Sequence, residues 1–393
     1  MASLTEKADR CVKCGLCLPH CPTYALTANE SESPRGRLAL ILAVENQQIT
    51  MQEVAHHLSS CLLCNACENA CPSAVAFEDI MNEARSHPEY PKPAIFFTQL
   101  SDPTFHQKLA PWLRFYQTSG LQILARASGL LPTSKWGRLE ATLPKLPAAI
   151  ALQSHYPALQ PNGKSVALFI GCTGVPYDQA SILATIRVLN YIGIEVHIPK
   201  QQGCCGALDA HAGLKESAAA LLAKNQQAFS EVTINAVISL NTGCTAFLQT
   251  QEQAATPVMD ILHFLLQQDS FHQINFQPRY QHIALHIPCS LTNQLKQSAN
   301  PEKCLRKIPG LTLSTLASNQ TCCGAAGTYL IQYPETANQL LQPRLKEIQS
   351  LQPDIIASPN LGCSLHLLQG LNRLKLTIPI QHPIQLLADA LPA

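Results

Sequence analysis

The chain carries little charge, and no run of eighteen or more apolar residues occurs in it. Asp, Glu, Lys and Arg make up 13% of its 393 residues and the formal net charge is +1, so there is no global electrostatic case for nucleic-acid binding. Without a long apolar run no transmembrane helix is expected. Met1-Ala-Ser-Leu-Thr-Glu-Lys7 lacks an apolar core, so no signal peptide is expected at the start. No Gly-x-Gly-x-x-Gly follows a strand pattern, which leaves no visible flavin or nicotinamide site on this chain. Cysteine, by contrast, is abundant. Seventeen is an odd number, and with no secretion signal it argues against a disulfide framework. Reduced thiols point instead to a cytoplasmic or cytosol-facing protein.

Eight of the cysteines form two matching runs. Cys11-Val-Lys-Cys14-Gly-Leu-Cys17-Leu-Pro-His-Cys21-Pro22 is followed by Cys61-Leu-Leu-Cys64-Asn-Ala-Cys67-Glu-Asn-Ala-Cys71-Pro72. Cys-x2-Cys-x2-Cys-x3-Cys-Pro, used twice, is the spacing that holds a pair of [4Fe–4S] clusters. Three thiolates two residues apart wrap a tight loop around one cubane. The fourth leaves the loop after a three-residue gap and reaches the other cluster. The reading is therefore crossed: Cys11, Cys14, Cys17 and Cys71 for cluster 1, and Cys61, Cys64, Cys67 and Cys21 for cluster 2. Structural zinc would need four cysteines per site and no obligatory proline, so it explains less of the pattern.

Between the two runs, Ser33-Pro34-Arg35-Gly36-Arg37 starts a helical pattern through Leu38, Leu40, Ile41, Leu42 and Val44. Val54, Leu58, Leu62 and Leu63 continue at helical spacing, so the expected domain is an α-helical ferredoxin. Arg35 and Arg37 read first as helix-start cations, with partner docking or cluster tuning as the alternative. From Pro91 to Ile150 there are seven basic residues (Lys92, Lys108, Arg114, Arg126, Lys135, Arg138, Lys145) against Asp102 and Glu140. Both tryptophans, Trp112 and Trp136, lie in this stretch. It reads as a helical, basic connector. Its aromatics are expected to pack on a neighbouring domain, with an anionic membrane surface or a partner as the second option.

The rest of the chain repeats itself. Val166-Ala-Leu-Phe-Ile-Gly-Cys172 matches Ile283-Ala-Leu-His-Ile-Pro-Cys289, and Gly203-Cys204-Cys205-Gly206-Ala207 matches Thr321-Cys322-Cys323-Gly324-Ala325. Ala236-Val-Ile-Ser-Leu-Asn-Thr-Gly-Cys244 matches Ile355-Ile-Ala-Ser-Pro-Asn-Leu-Gly-Cys363. The offsets of 117, 118 and 119 residues mark an internal duplication. Strands alternate with helical stretches such as Ala180–Tyr191 and Leu214–Phe229, which argues for α/β units with a mainly parallel sheet. Cys172, Cys244, Cys289 and Cys363 are expected directly after strands. The Cys-Cys-Gly turns are expected after weaker strands at Ile194–Ile198 and Leu311–Leu316. Sites in such sheets gather at the strands' carboxyl ends, so the eight cysteines are candidates for a shared site. It would be a further iron–sulfur cluster, a redox-active thiol pair, or buried cysteines acting as small hydrophobes. Cys304 stands outside the pattern and is expected to be inert. His263, His366 and His382 are expected to be satisfied structural histidines.

These motifs resemble the Cys-Cys-Gly domain family, which includes heterodisulfide reductase subunits and the iron–sulfur subunits of flavin-linked dehydrogenases. Cys21-Pro-Thr-Tyr24, Pro34-Arg-Gly-Arg-Leu38, Gly203-Cys-Cys-Gly-Ala-Leu-Asp209, Cys322-Cys-Gly-Ala-Ala-Gly-Thr-Tyr329 and Asn360-Leu-Gly-Cys363 are most similar to the glycolate oxidase (glycolate dehydrogenase) iron–sulfur subunit family. The resemblance implies an α plus α/β protein, with an α-helical ferredoxin domain followed by a duplicated α/β Cys-Cys-Gly domain. The expected divisions are residues 1–90, 91–160, 161–270 and 280–393. It also implies that glycolate is oxidised on a partner subunit carrying FAD. This chain would then pass electrons through two [4Fe–4S] clusters, and through a third if the repeats hold one, towards a quinone or another acceptor. The expected location is cytoplasmic, or peripheral on the cytoplasmic face of the inner membrane. The alternatives are the corresponding subunit for D-lactate or anaerobic glycerol-3-phosphate oxidation, and a heterodisulfide-reductase-like thiol/disulfide enzyme. Heterodisulfide reductase catalytic subunits carry a further cysteine three positions after the last one of a repeat. Cys244-Thr-Ala-Phe247 and Cys363-Ser-Leu-His366 lack it, so a third cluster here would relay electrons rather than cleave a disulfide.

Overall fold

Helices build the first part of the chain. Ser33 caps the helix Pro34–Glu45 by accepting a hydrogen bond from the Gly36 amide, and Pro34 fills its first turn, where a missing N–H costs nothing. Thr50 and Glu53 form a reciprocal capping box on the helix Met51–Ser59, and a third helix runs Phe77–Arg85. Leu38, Ile41, Met51, Val54, Leu58, Ile80 and Met81 bury their side chains where these helices meet. The computed structural model describes residues 3–128, 137, 140–148, 150–250 and 256–392. The helical spacing that suggested a continuation through Leu62 and Leu63 misleads, because the helix stops at Ser59. Leu63 and Asn65 take left-handed backbone angles, φ 49° and 56°. That conformation breaks a helix and turns the loop that carries Cys61, Cys64 and Cys67.

The connector forms helices Ile95–Gln99, Pro103–Thr118 and Leu121–Ala127. His106 anchors it: the ring is buried, sits 5.5 Å edge-on to Tyr177 and bonds the Leu100 carbonyl oxygen at 2.9 Å. Trp112 and Phe115 do not pack on a neighbouring domain among the described residues, being 74% and 58% exposed. Lys135, Trp136 and Arg138 lie outside the described residues.

Two sheets follow. The first contains β1 (His155–Tyr156), β2 (Ser165–Phe169), β3 (Glu195–His197), β4 (Ala236–Ser239) and β5 (Val258–Asp260), in the order β1-β3-β2-β4-β5. The second contains β6 (His282–Leu285), β7 (Thr312–Thr315), β8 (Ile355–Ala357) and β9 (Ile380–Gln381), in the order β7-β6-β8-β9. Apart from β1, which adds antiparallel to β3, every pairing is parallel. The order β3-β2-β4-β5 recurs as β7-β6-β8-β9, so the sequence duplication is a duplication of topology. Parallel neighbours require crossovers, and the helices Gln179–Tyr191, Lys215–Ser230 and Pro334–Leu351 provide three of them. One apolar core runs through both repeats, joining Leu168, Ile182 and Leu189 to Leu285, Ile384 and Leu387. Each such side chain, fully buried, contributes about 1.5–3 kcal/mol relative to exposure. This shared core fixes the two sites relative to each other.

Candidate iron–sulfur centres

Cys11, Cys14 and Cys17 are neighbours in the first cysteine loop, with Cys14 exposed and the other two half-buried. Lys13 and Gly15 take positive φ there, which lets the loop turn its cysteines to one side. Arg35 braces it, donating to the Lys13 carbonyl oxygen at 3.2 Å while paired with Glu30 at 2.6 Å. Cys21, Cys61, Cys64 and Cys67 line one small cavity together with Arg37 and Phe77. Cys71 is half-buried at the end of the second loop.

Arg37 is not a surface cation. It is 1% exposed and donates to Glu32 Oε2 at 2.6 Å, the Glu32 carbonyl oxygen at 2.6 Å, Ser60 Oγ at 2.9 Å and the His57 carbonyl oxygen at 2.7 Å. Burial raises the Glu32 pKa, but hydrogen bonds from Ser60 and His57 and the Arg37 charge outweigh it and hold this carboxyl below its usual range. The second cysteine loop is pinned from behind by Arg85, which donates to the carbonyl oxygens of Leu58 at 2.5 Å and Cys61 at 2.9 Å. Its other nitrogen reaches the His211 carbonyl oxygen of the first repeat at 2.8 Å. No local sequence signal distinguished Arg85 from a surface arginine.

The repeats carry the other eight candidates. Cys172 lies in the turn after β2, and Cys289 opens the short helix Ser290–Gln294 after β6. Cys244 and Cys363 do not follow strands directly: each sits in the first turn of a helix, Thr242–Gln249 and Leu361–Arg373. The tight turn between strand and helix carries the thiol past the strand end, still on the carboxyl side of the sheet. Cys289 and Cys322 sulfurs are 3.9 Å apart, and Cys323 and Cys363 sulfurs 3.3 Å. Cys172 pairs with Cys204 and Cys205 with Cys244 in the same manner. The eight cysteines therefore form two groups of four, one per repeat. Glycine is required after each pair: Gly324 has φ 87°, and a Cβ there would come within 2.7 Å of the Ala337 carbonyl oxygen.

The two groups are not equivalent. Phe169 and Phe247 pack against the first group. The residues at the matching positions of the second repeat are His286 and His366, both buried. His286 Nδ1 lies 3.0 Å from Ser358 Oγ, and one of its ring nitrogens lies within 4.8 Å of the Cys323 and Cys363 sulfurs. His366 faces Cys323, and beyond that thiol neither of its ring nitrogens has a hydrogen-bond partner. His366 thus has a candidate site thiol beside it rather than the structural partner expected. The expectation of satisfied structural histidines holds for His382, which bonds the Leu240 carbonyl oxygen and the Ile384 amide, and for His263, which contacts Gln267 and Asn300. Backbone bracing differs too. Asn225 donates to the Cys204 carbonyl oxygen at 2.7 Å, whereas the buried Arg344 donates to that of Cys322 at 3.3 Å.

The two kinds of site also meet directly. Cys64 packs with Cys289 and Cys322 beside Leu62, Tyr329 and Leu340. Burial, and then the neighbouring Cys289, push the Cys64 thiol well up; burial does the same to Cys67. In each repeat one thiol goes the other way. Cys204 falls to about 3 through hydrogen bonds from Cys172 and Cys205, and Cys323 falls through those from Cys322 and Cys363. Cys304 is buried apart from all of these, its thiol directed at the Leu262 carbonyl oxygen. Soft thiolates in groups of four, with buried imidazoles beside one of the groups, are a donor set suited to iron–sulfur groups. A bound metal would supply the positive charge that keeps such buried thiols ionised. Clusters of this kind carry one electron at a time. No helix among the described residues is long and apolar enough to cross a membrane.

Comparison with known proteins agrees with this layout. A 4Fe–4S dicluster domain model matches residues 7–75, and a cysteine-rich domain model matches 166–249 and again 283–368. Between them, residues 92–143 match the linker region of the glycolate oxidase iron–sulfur subunit. The chain is 29% identical to the glycolate oxidase iron–sulfur subunit of Escherichia coli, over 91% of this chain and 89% of that protein. It is 23% identical to a dihydromethanophenazine:CoB–CoM heterodisulfide reductase subunit of Methanosarcina acetivorans, over 98% of this chain and 94% of that one. Identity reaches 32% with the probable glycolate oxidase iron–sulfur subunit of Bacillus subtilis, over 92% of this chain and 89% of that one. By its dicluster domain, its linker and its paired cysteine-rich domains, the chain belongs to the glycolate oxidase iron–sulfur subunit family.

Proposed function

We propose that this chain is the electron-transfer subunit of a flavin-dependent 2-hydroxyacid dehydrogenase that converts glycolate to glyoxylate on a partner subunit carrying FAD. Cys11, Cys14, Cys17 and Cys71 hold one [4Fe–4S] cluster, and Cys61, Cys64, Cys67 and Cys21 the other. Each group of four cysteines in the repeats holds a further redox centre. The observation that carries the reading is the run of cysteine sites from surface to interior: Cys14 is exposed, while Cys64 is packed against Cys289 and Cys322. Donor electrons enter or leave at an exposed site, and the protein's task is to fix order and spacing for the cofactors. The terminal acceptor is a quinone or another carrier, reached from the cytoplasm or from the cytoplasmic face of the membrane.

The test is anaerobic. The native complex is purified with bound flavin, glycolate is added, and cluster reduction is followed by EPR and visible bleaching. Reduction within turnover time supports the reading, and the Cys14→Ala and Cys64→Ala variants should still reduce flavin while blocking electron exit. Reduction by D-lactate or glycerol 3-phosphate and not by glycolate would keep the electron-transfer role and move the substrate. Normal transfer to the physiological acceptor in both variants would remove the ligand assignment.

A further inference from the structure

The two cysteine groups have the same thiols in the same topology and differ in what stands beside them. Phe169 and Phe247 close the first group with apolar rings, which offer a metal no donor atom, and both ring nitrogens of the nearby His106 are already engaged, by Tyr177 Oη and the Leu100 carbonyl oxygen. His286 and His366 occupy the matching positions of the second group and bring two imidazoles into contact range of Cys323. We propose that the second repeat's centre is a mixed thiolate–imidazole site, ligated by nitrogen from the His286–His366 pair as well as by cysteine, and that the first is ligated by thiolate alone. This inference rests on the reading that the repeats hold redox metal centres.

Three observations carry it. First, the His286 ring nitrogen and the Cys323 and Cys363 sulfurs lie within 4.8 Å of one another, close enough for one metal to bridge all three. Second, the Nδ1 of His286 is engaged by Ser358 Oγ at 3.0 Å. Ligating histidines commonly have one ring nitrogen held by a neighbour, which leaves the other available to a metal. Third, His366 is fully buried and, beyond the Cys323 thiol that it faces, its ring nitrogens meet no hydrogen-bond partner. A thiol is a weak hydrogen-bond partner, so the buried ring is left short of full satisfaction, a cost that a metal bond removes. Cys363 and His366 are three residues apart on the helix Leu361–Arg373, so their side chains share a face.

The consequence is a difference in potential between the repeats. Imidazole in place of thiolate raises the potential of an iron–sulfur centre, because a neutral ligand replaces an anionic one. The buried Arg344, where the first repeat has Asn225, adds a positive charge beside the same site. Cys64 abuts this second group, so the centre next to cluster 2 becomes the favoured electron sink.

The experiment uses the full chain, assembled anaerobically with iron and sulfide and labelled with 15N only in histidine. Pulsed EPR of the reduced protein should show a directly bonded 15N coupling, absent from the His286→Phe/His366→Phe double variant. Because that variant can lose the centre, single His286→Cys and His366→Cys variants are measured as well. Substituting the ligating histidine should retain iron, lose the coupling and shift the midpoint potential to more negative values. Absence of the coupling in the wild-type chain, or its persistence in the double variant, would overturn the inference. Iron analysis separates the two failures. Cys322→Ser and Cys363→Ser variants that retain full iron would remove the centre itself, and this inference with it. Iron loss in those variants, together with no histidine coupling in the wild type, would remove the imidazole ligand alone.

Discussion

The side-chain amide of Asn293 donates to the backbone carbonyl oxygen of Cys64 at 2.7 Å. The Asn293 carbonyl oxygen in turn accepts from Asn69 Nδ2 at 3.0 Å. Asn293 follows Cys289 by four residues, so one side chain ties a thiol-bearing loop of the dicluster domain to a thiol-bearing turn of the second repeat. Electron transfer depends steeply on distance, and this tie sets it. Asn293→Ala removes the donor and leaves the Cys64 carbonyl oxygen short of a partner, a loss of about 1 kcal/mol. The expected outcome is full iron content with slowed reduction of the second-repeat centre after the N-terminal clusters are reduced, read by stopped-flow absorbance. An unchanged rate would mean that the remaining ties, Asn69 to the Asn293 backbone, Gln294 to Glu78 and the packing of Leu62 and Tyr329, hold the junction without it.

The first repeat docks through Gly213. Its φ is +76°, and a Cβ would come within 1.9 Å of the Arg85 carbonyl oxygen. Alanine therefore strains the backbone and pushes the two domains apart at the point where Arg85 bonds the His211 carbonyl oxygen. Gly213→Ala is expected to destabilise the chain by about 1–3 kcal/mol, with faster proteolytic cleavage between residues 86 and 95. A melting temperature equal to the wild type would show that the loop has room to move.

The architecture was legible because its signals are periodic or repeated. Two four-cysteine runs, a duplication at nearly constant offset and alternating strand and helix patterns lead to the observed parallel sheets and the helical N-terminal part. What stayed hidden depends on tertiary contact. Arg37 read as a helix-start cation, since nothing local says that Glu32, His57 and Ser60 close around it. The spacing of Leu62 and Leu63 suggested helix because periodicity is blind to the left-handed angles at Leu63 and Asn65. Arg85 and Asn293 act across more than a hundred residues of sequence and left no trace. The asymmetry of the repeats was visible in outline, as Phe169 against His286 and Phe247 against His366. Only the fold brings the two histidines together.

Asp260 makes stability depend on pH in a direction unusual for a carboxylate. Its Oδ1 accepts from the Leu262 amide at 2.9 Å at the start of the helix Ile261–Leu266, and burial pushes its pKa up to about 7. In the unfolded chain the same group titrates near 4. Between these values the folded protein holds a proton that the unfolded chain has released, so stability falls as pH rises through this window and levels off above it. Each pH unit there removes up to about 1.4 kcal/mol. Asn cannot ionise and still offers a capping oxygen. Asp260→Asn should therefore gain stability relative to wild type between pH 5.5 and pH 8, measured by thermal unfolding at both. A mutant-minus-wild-type difference independent of pH would mean that Asp260 is ionised throughout. Asp178, also raised to about 7 by burial, is present in both proteins and cancels.

Arg37 holds together the two chain segments that supply the second cluster. Its guanidinium reaches Thr23 Oγ1 at 3.2 Å, two residues beyond Cys21, and Ser60 Oγ at 2.9 Å, one residue before Cys61. Glu32 answers its charge at 2.6 Å and is itself buried. Breaking a buried pair by removing one partner costs on the order of 3–5 kcal/mol where the remaining charge is stranded; Glu32 keeps His57 at 2.6 Å, so the lower end is expected. Arg37→Leu is therefore expected to lose iron first from the site of Cys21, Cys61, Cys64 and Cys67, read as EPR spin per chain. Arg37→Lys keeps the charge but not the planar fork that reaches several acceptors at once, and should fall between Leu and wild type. Arg37→Leu combined with Glu32→Gln removes both charges and should recover part of the lost stability. If the double variant is as unstable as Arg37→Leu, the hydrogen bonds to Ser60 and the His57 carbonyl oxygen carry the effect rather than the stranded carboxylate. If Arg37→Leu itself keeps full iron and wild-type stability, the segments around Cys21 and Cys61 are held by packing, and the arginine is not their tie.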